Sequence, residues 1–246
     1  MAYPTLHPKF MPRFLLPSNQ WEEAELTGDE AKHLAQVLRI KSGEEITVFN
    51  GKGRRASAIV KDVSRNRVRL VLGEFVNTRP QLPTITLSQA IPKGKNMELI
   101  VQKAVELGVA IIQPLITQHT IVQPGKSKVE KWRRIALEAC KQCGQDILPA
   151  IAEPMHFRDW IASSDLGEIS IIASLADGAR PMREVIRNHS SVVKCDLLVG
   201  PEGDFAPSET AAAIEAGYQP VTLGDIVLRV ETASLYCLSA LRYEFS

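Results

Sequence analysis

The segment CDLLVGPEGDF (195–205) places two acidic residues in a glycine-containing turn, directly after an apolar run that is typical of a buried strand. Gly200 and Gly203 permit backbone angles that other residues resist, so the turn can bring main-chain amides and carbonyls close to a ligand. Glu202 and Asp204 would repel a phosphate, which favours a neutral or cationic ligand with hydroxyl groups. The same residues also suit a plain strand-to-helix connection, with acids at the positive end of the next helix.

A second loop, LGDIVLRVETA (223–233), lies between a predicted strand and the last predicted helix. It contains an apolar run where a loop is expected to be polar. Main-chain groups of a buried loop need hydrogen-bond partners, and a ligand such as adenine can supply them. This loop therefore favours the ligand-binding interpretation of the first turn.

The sequence lacks the fingerprints of the common phosphate-binding and hydrolase sites. It contains no G-x-x-x-x-G-K-[ST], no G-x-G-x-x-G after the first strand of its second half, and no G-x-S-x-G. The pair Cys140 and Cys143 falls in the last turn of a predicted helix and lacks further ligands at zinc-site spacing, which favours a packing role. The five histidines are scattered. We expect no metal.

The first third of the chain has the pattern of a small β-barrel. One helix is predicted at 28–40, a strand–turn–strand unit at 44–63 and a half-buried strand at 66–75. Short, closely spaced strands with a single helix are typical of such barrels. The segment 77–83, with two prolines and no periodicity, is interpreted as a linker.

The rest of the chain alternates strands with helices, which predicts βαβ units and a mainly parallel sheet. Strands are predicted at 84–91, 110–117, 168–176, 195–200 and 218–224, and helices at 96–109, 127–144, 157–164, 181–189, 207–217 and 231–245. Ligands of such sheets bind beyond the carboxyl ends of the strands. Both the turn at 200–203 and the loop at 223–232 are expected at that edge.

Composition and charge restrict the class of protein further. No apolar run is long enough to cross a bilayer, and prolines and charges interrupt the N-terminal segment, so a cytoplasmic protein without membrane contact is expected. The formal net charge is only +1, but the window 39–69 holds nine basic and three acidic residues. A basic patch of this density can bind a phosphate backbone, and a solvated sheet face explains it equally well.

Several segments, taken in order, resemble the motifs of the RsmE family, the SPOUT-class methyltransferases that modify uridine N3 in small-subunit (16S) ribosomal RNA. The segments are KGKNMELIVQKAVELGV (93–109), EKWRRIALEACKQCGQDILP (130–149), LLVGPEGDF (197–205) and LGDIVLRVETASL (223–235), with PRFLL (12–16) and HLAQVLRIKSGEEITVFNGKG (33–53) nearer the N-terminus. The family usually has Gly at Asp204 and Pro-Arg at Asp225-Ile226, and these departures bear on how tightly the two loops are held.

The resemblance implies an α/β fold: a trefoil-knotted SPOUT methyltransferase domain over 78–246, preceded by a PUA-like β-barrel RNA-binding domain over 1–77. It also implies S-adenosyl-L-methionine as cofactor, a homodimer, and small-subunit ribosomal RNA within the assembled 30S subunit as the substrate. The cofactor residues implied are Leu175, Gly200, Pro201, Glu202, Gly203, Leu223, Gly224 and Leu228. The candidate RNA-binding residues are Arg13, Lys52, Arg54, Arg55 and Lys93.

Two residues of the second loop are candidates for the chemistry. Uridine N3 carries a proton and is a poor nucleophile while neutral. Arg229 is expected to stabilise negative charge that develops on a uracil carbonyl, and Glu231 can accept a proton directly or through water. Glu231 is also explained as a first-turn acid of the last helix, and the general base stays unassigned. A transfer RNA substrate and a non-catalytic RNA-binding role are the alternatives.

Overall fold

The structure, a computed structural model, describes residues 11–121, 124–163, 165–176 and 178–245. It divides into two compact units: the described residues up to Pro80 together with Cys140–Leu148 form the first, and Gln81–Ala139 with the residues from Pro149 onward form the second. The predicted domains, 1–77 and 78–246, stay a prediction, and residues 1–10 lie outside the described residues. No helix among the described residues is long and apolar enough to span a membrane.

The first unit is built on a five-stranded sheet. Its elements are β1 (Arg13–Leu15), β2 (Glu25–Thr27), α1 (Gly28–Lys32), which continues as a π-helical segment over His33–Leu38, β3 (Glu45–Phe49), β4 (Arg54–Val63) and β5 (Arg67–Asn77). The strand order is β1-β3-β4-β5-β2, with β1 parallel to β3 and the other pairs antiparallel. The predicted helix and the three predicted strands of this part are confirmed in type.

The core of the first unit follows from the two-residue period of its strands, which sends alternate side chains to one face. In β4, Ala56, Ala58 and Val60 are buried, and in β5 Val68 and Leu70 are buried. They pack with the aromatic and aliphatic side chains of the preceding elements, which include Phe14, Leu16, Trp21, Leu26, Leu34, Ile46 and Val48.

A buried carboxylate joins the strands of the first unit to the segment Cys140–Leu148. Asp146, whose side chain is 1% exposed, accepts hydrogen bonds from Arg13 at 2.6 Å, Arg55 at 2.7 Å and Thr78 at 2.5 Å. Burial alone would raise the pKa of Asp146, but the hydrogen bonds from Thr78, Arg13 and Arg55 outweigh it and hold the pKa below its ordinary value. We call these four residues the Asp146 cluster.

The second unit is an eight-stranded parallel sheet with its helices. Its elements are β6 (Thr84–Ala90), α2 (Asn96–Glu106), β7 (Ile111–Ile116), α3 (Lys126–Cys143, whose last turn belongs to the first unit), β8 (Ala150–Ile151), β9 (Met155–His156), α4 (Phe157–Ser163), β10 (Ile169–Ala173), β11 (Arg180–Pro181), α5 (Met182–Ile186), β12 (Lys194–Val199), α6 (Pro207–Glu215), β13 (Gln219–Thr222) and α7 (Val230–Phe245). The main path of the sheet is β11-β13-β10-β12-β6-β7-β8, and β9 pairs with β7. The predicted parallel α/β organisation is confirmed.

The central strands β6, β10 and β12 are buried along almost their whole length, as expected of parallel strands covered on both faces. In the register of the sheet, Ala173 at the end of β10 pairs with Val199 of β12 and with Val221 of β13. The carboxyl ends of these three strands therefore meet at one edge. The segments that follow them start side by side.

Helix α7 is held in place by polar side chains at both ends. Near its start, Ser234 donates a buried hydrogen bond of 2.5 Å to Gln89 Oε1 at the end of β6. Near its end, the Arg242 guanidinium donates to the carbonyl oxygens of Leu107 at 3.1 Å and Pro83 at 2.8 Å. These contacts fix the helix that directly follows the loop at 223–229.

Candidate functional site

A cavity of about 440 Å³ opens at the carboxyl edge of the parallel sheet. Three chain segments line it: the end of β10, the turn after β12, and the loop from β13 into α7, together with Asn96 of α2. The sequence predicted the last two segments at this edge, together with Leu175 at the end of the preceding strand, and the structure brings all three segments together in one cavity.

The predicted cofactor and catalytic residues lie around this cavity with one exception. Leu175, Gly200, Pro201, Glu202, Leu223, Gly224, Leu228, Arg229 and Glu231 all line it. Gly203 is not among the lining residues; a Cβ added there would lie 3.6 Å from Nδ1 of His119. Lining residues that the prediction missed include Asn96, Ser174, Ile226 and Val227.

The turn after β12 leaves little room for a side chain at its first position, which favours glycine there. A Cβ on Gly200 would lie 3.0 Å from Oδ1 of Asp204 and 3.1 Å from the amide nitrogen of Phe205. The turn is closed by a 3.0 Å hydrogen bond from the Asp204 amide to the Pro201 carbonyl. The chain therefore makes a tight turn here, and Gly200 and Pro201 line the cavity.

Asp204 ties this turn to the end of β10. Its backbone has φ of 60°, in the left-handed region that disfavours most side chains. Its carboxylate accepts hydrogen bonds from the amides of Phe205 at 2.7 Å and Leu175 at 3.1 Å. The Leu175 amide is thus already engaged, which leaves the Leu175 carbonyl and side chain for a ligand.

Glu202 and Gly224 line further parts of the cavity, and each lies in a segment that a side-chain hydrogen bond holds in place. The Glu202 carboxylate accepts a 2.8 Å hydrogen bond from the amide of Lys93, in the segment before α2. Gly224 has φ of 122°, where a Cβ is strained, and its amide and carbonyl both contact the Thr222 hydroxyl, at 3.4 and 3.2 Å. Each loop is therefore anchored to a neighbouring segment by a side chain.

Two residues of the apolar run in the second loop are strongly exposed, whereas the sequence argument treated this loop as buried. Ile226 is 78% exposed and Val227 is 70% exposed, and Leu175 across the cavity is 64% exposed. These apolar side chains have no core to enter, because the loop leads out from the sheet edge. Exposed apolar groups that gather at a cavity are typical of a binding site.

Arg229 and Glu231 supply the charges that the loop offers to a ligand. Arg229 is exposed and forms no ion pair within the described residues. Glu231 lies in the first turn of α7 and accepts a long, 3.4 Å hydrogen bond from Asn96. An acidic residue at this position is favourable for the helix, because the first turn is the positive end of its dipole.

The buried hydrogen bond between Ser234 and Gln89 fixes the start of α7, which lines the cavity. This pair was not predicted from the sequence. Gln89 is fully buried and also donates to the carbonyl of Ala90 at 2.9 Å. Its sequence signal is an amide side chain near the carboxyl end of the predicted strand TITLSQA. Such a residue must find partners inside the protein.

The five predicted RNA-binding residues have different environments. Arg13 is 12% exposed and engaged with Asp146, which favours a structural role over an RNA contact. Arg55, 40% exposed, also contacts Asp146. Arg54 lies over the Phe75 ring at 3.9 Å, while Lys52 and Lys93 are exposed.

The comparisons with known proteins agree with this geometry. The family model described as RNA methyltransferase domain matches residues 79–242, and the model described as RNA methyltransferase PUA domain matches residues 26–73. The ribosomal RNA small subunit methyltransferase E of Synechocystis is 32% identical over 87% of this chain and 71% of that protein. The chain belongs to the RsmE family of RNA methyltransferases.

Solved structures of similar proteins extend the comparison to three dimensions. The RsmE enzyme of Neisseria gonorrhoeae, crystallised with S-adenosyl methionine bound, has a TM-score of 0.85, 32% identity, and coverage of 95% of this chain and 97% of that one. A protein of Legionella pneumophila, solved in complex with the cofactor SAM, has a TM-score of 0.86 and 30% identity, with the same coverage. The RsmE fold thus extends over nearly the whole chain.

Proposed function

We propose that this RsmE-family protein transfers a methyl group from S-adenosylmethionine to N3 of a uridine in small-subunit ribosomal RNA. The observation that carries the proposal is the convergence of three carboxyl-edge segments on one cavity of about 440 Å³. The named RsmE relatives and the bound cofactor in the Neisseria structure support both the reaction and its methyl donor.

The cavity fits this cofactor by size and by chemistry. Its volume of about 440 Å³ lies within the range of roughly 300–1,000 Å³ for small-molecule and cofactor sites. Three acidic residues line it, Glu202, Asp204 and Glu231, and their negative charge suits a ligand that carries positive sulfonium and ammonium groups. When bound, the cofactor supplies an electrophilic methyl group, whose bond to sulfur breaks with the electron pair retained by sulfur.

The main chain around the cavity would hold the cofactor. The residues are those named above that line it: Leu175, Gly200, Pro201, Glu202, Leu223, Gly224 and Leu228. The exposed side chains of Leu175, Ile226 and Val227 offer apolar surface to a purine ring. The hydrogen bonds of Asp204 and Glu202 keep the loops in position before the ligand arrives, which lowers the entropic cost of binding.

Arg229 and Glu231 act on the uracil. N3 must lose its proton as its lone pair forms the bond to the methyl carbon, and negative charge develops on the neighbouring carbonyl oxygens. Arg229 is exposed on the cavity and free of ion pairs within the described residues, so its guanidinium is available to stabilise that charge. Glu231 accepts the N3 proton, directly or through water.

The finer features of the family belong to the same proposal. We infer a trefoil knot in the second unit, supported by the three segments that meet around one cavity, and a closed PUA-like barrel in the first. We also infer a homodimer that acts on the assembled 30S subunit in the cytoplasm. Among the predicted RNA contacts, Lys52, Arg54 and Lys93 are the exposed ones and are retained.

The test is methyl transfer to small subunits that lack the modification. We expect labelled methyl from S-adenosylmethionine to appear in their RNA, and mass analysis of the digested nucleosides to identify 3-methyluridine. Transfer RNA and protein-free ribosomal RNA serve as comparison substrates. A folded protein that binds the cofactor and labels only transfer RNA, or labels nothing, would contradict the proposal.

A further inference from the structure

Strand β11, helix α5 and the residue directly after α5 contribute three arginines that neither the family motifs nor the cavity include. Arg180, Arg183 and Arg187 are exposed, and together with Glu184 and Asn188 they line one groove in the second unit. We call it the α5 groove. An exposed concave surface with this concentration of guanidinium groups is suited to an anion.

The backbone places two of these arginines one helical turn apart. The amide of Arg187 donates a 3.2 Å hydrogen bond to the carbonyl of Arg183, which is the i, i+4 contact of a helix. Residues so related lie on one helix face, about 5–6 Å apart between their Cβ atoms. Arg180, the first residue of the adjoining strand β11, extends this row of arginines.

The charges of the α5 groove are not neutralised by neighbours. None of its three arginines forms an ion pair within the parts of the chain that the structure describes, and Glu184 is the one acid among the lining residues. The groove thus has a net charge of about +2, by formal counting of three arginines and one glutamate at neutral pH. Guanidinium groups in this state offer bidentate hydrogen bonds to phosphate oxygens.

The α5 groove begins beside the cavity. In the sheet, Arg180 pairs with Val221 and Pro181 with Thr222 of β13. The next residue, Leu223, lines the cavity. Neighbouring strands lie about 4.8 Å apart, so the first arginine of the row stands one strand away from the chain that enters the site.

We infer that the α5 groove binds backbone phosphates of the substrate RNA strand beside the target uridine. The inference rests on the proposed function, because it takes RNA as the polyanion that reaches the neighbouring cavity. Phosphate contacts fix the register and orientation of the strand, while the cavity receives the base. The row of arginines would therefore orient the RNA.

The experiment measures binding of small-subunit RNA at a series of salt concentrations. Each lost phosphate contact reduces the slope of log K against log salt by about 0.7–0.9. We expect Arg183→Gln and Arg187→Gln each to reduce the slope by this amount, and Arg183→Lys to preserve it. Arg158→Gln, at an exposed arginine of α4, is the matched control and should leave the slope unchanged.

The outcomes separate this inference from the proposed function. Cofactor affinity, measured by calorimetry, should be unchanged in every variant, because none of these residues lines the cavity. Equal slopes for the wild type and both glutamine variants would overturn the role of the groove, even if the enzyme methylates its RNA. A reduced slope in both variants, with no methyl transfer by the wild type, would support the groove and contradict the proposed function.

Discussion

The Asp146 cluster of the first unit and the cavity of the second use charged side chains in opposite ways. Asp146 is buried and accepts hydrogen bonds from three side chains, so its charge is fully compensated. At the cavity, Arg229 is exposed and has no ion-pair partner among the described residues, and Glu231 has one long hydrogen bond. The first arrangement stabilises the unit, and the second leaves charge available for a ligand.

The difference shows how structural and functional charges can be told apart. Arginines are present in both regions, and their number in the sequence does not reveal which of them are available. Burial together with the ion pair to Asp146 marks Arg13 as structural, whereas exposure on a concave surface leaves Arg229 and the arginines of the α5 groove available to a ligand. Substitutions in each region should therefore affect different measurements.

The largest effect is expected from Asp146→Ala. The substitution leaves the nearly buried Arg13 guanidinium without its partner, and removing one member of a buried pair costs about 3 kcal/mol or more. Urea unfolding should show this loss in free energy. The matched control is Glu153→Gln, whose carboxylate is 66% exposed and accepts a 2.8 Å bond from Arg133; exposed pairs contribute about 1 kcal/mol or less. Equal losses for the two variants would contradict the structural distinction.

The same cluster predicts a dependence on pH. The folded-state pKa of Asp146 is lowered, so the unfolded chain binds the proton more readily. The contribution of Asp146 is therefore complete above the unfolded pKa of about 3.9 and is lost as the pH falls through the lower folded value. The stability difference between the wild type and Asp146→Ala should shrink over this acidic range. A difference that is constant down to pH 2 would contradict the assignment.

A smaller effect, on rate rather than stability, is expected from Arg229→Gln. Loss of a group that stabilises charge in the transition state costs about a hundredfold in turnover. Because Arg229 is exposed and unpaired within the described residues, the free energy of unfolding should be unchanged. Single-turnover methyl transfer measures the first quantity and urea unfolding the second. Arg229→Lys keeps the charge and should recover part of the rate; full activity in Arg229→Gln would exclude the proposed role.

Asp204 lies between the two cases, because its carboxylate is both paired and at the cavity. Asp204→Ala and Asp204→Gly each remove the hydrogen bonds to Leu175 and Phe205, so both should weaken cofactor binding, by up to roughly thirtyfold for two net hydrogen-bond contributions of about 1 kcal/mol each. Only glycine relieves the φ of 60°, where a side chain costs about 1–2 kcal/mol. Calorimetry should therefore give the alanine and glycine variants similar cofactor affinities. Thermal unfolding should show that the glycine variant is the more stable of the two. Wild-type cofactor affinity in both variants would show that the hydrogen bonds of Asp204 do not position the cofactor site.

Much of this arrangement could be predicted from the sequence, because long strands and helices have clear periodicity. The elements β3 to β7 and α2, α3 and α7 follow it closely, and the turn at Gly200 was predicted from its glycines. The short strands β1, β2, β8, β9 and β11 were not, since two or three residues show no period. The ion pair between Arg13 and Asp146, which are 133 residues apart in the sequence, is a tertiary contact that no local pattern encodes. The exposure of Ile226 and Val227 was missed for the same reason.

The smallest expected effect uses the four cysteines to test whether the two regions respond separately. Burial raises the pKa of Cys140, Cys195 and Cys237 to about 12, while Cys143 is exposed. Because the thiolate is the reactive form, iodoacetamide at pH 8 should label only Cys143 in the native protein, with little effect on activity.

In Asp146→Ala, local opening of Cys140–Leu148 should expose Cys140 next, while Cys195 and Cys237 in the second unit stay protected. Peptide mass analysis distinguishes the sites, and Glu153→Gln should retain the native pattern. Simultaneous labelling of Cys140, Cys195 and Cys237 would mean that the Asp146 cluster stabilises the whole chain rather than its own unit.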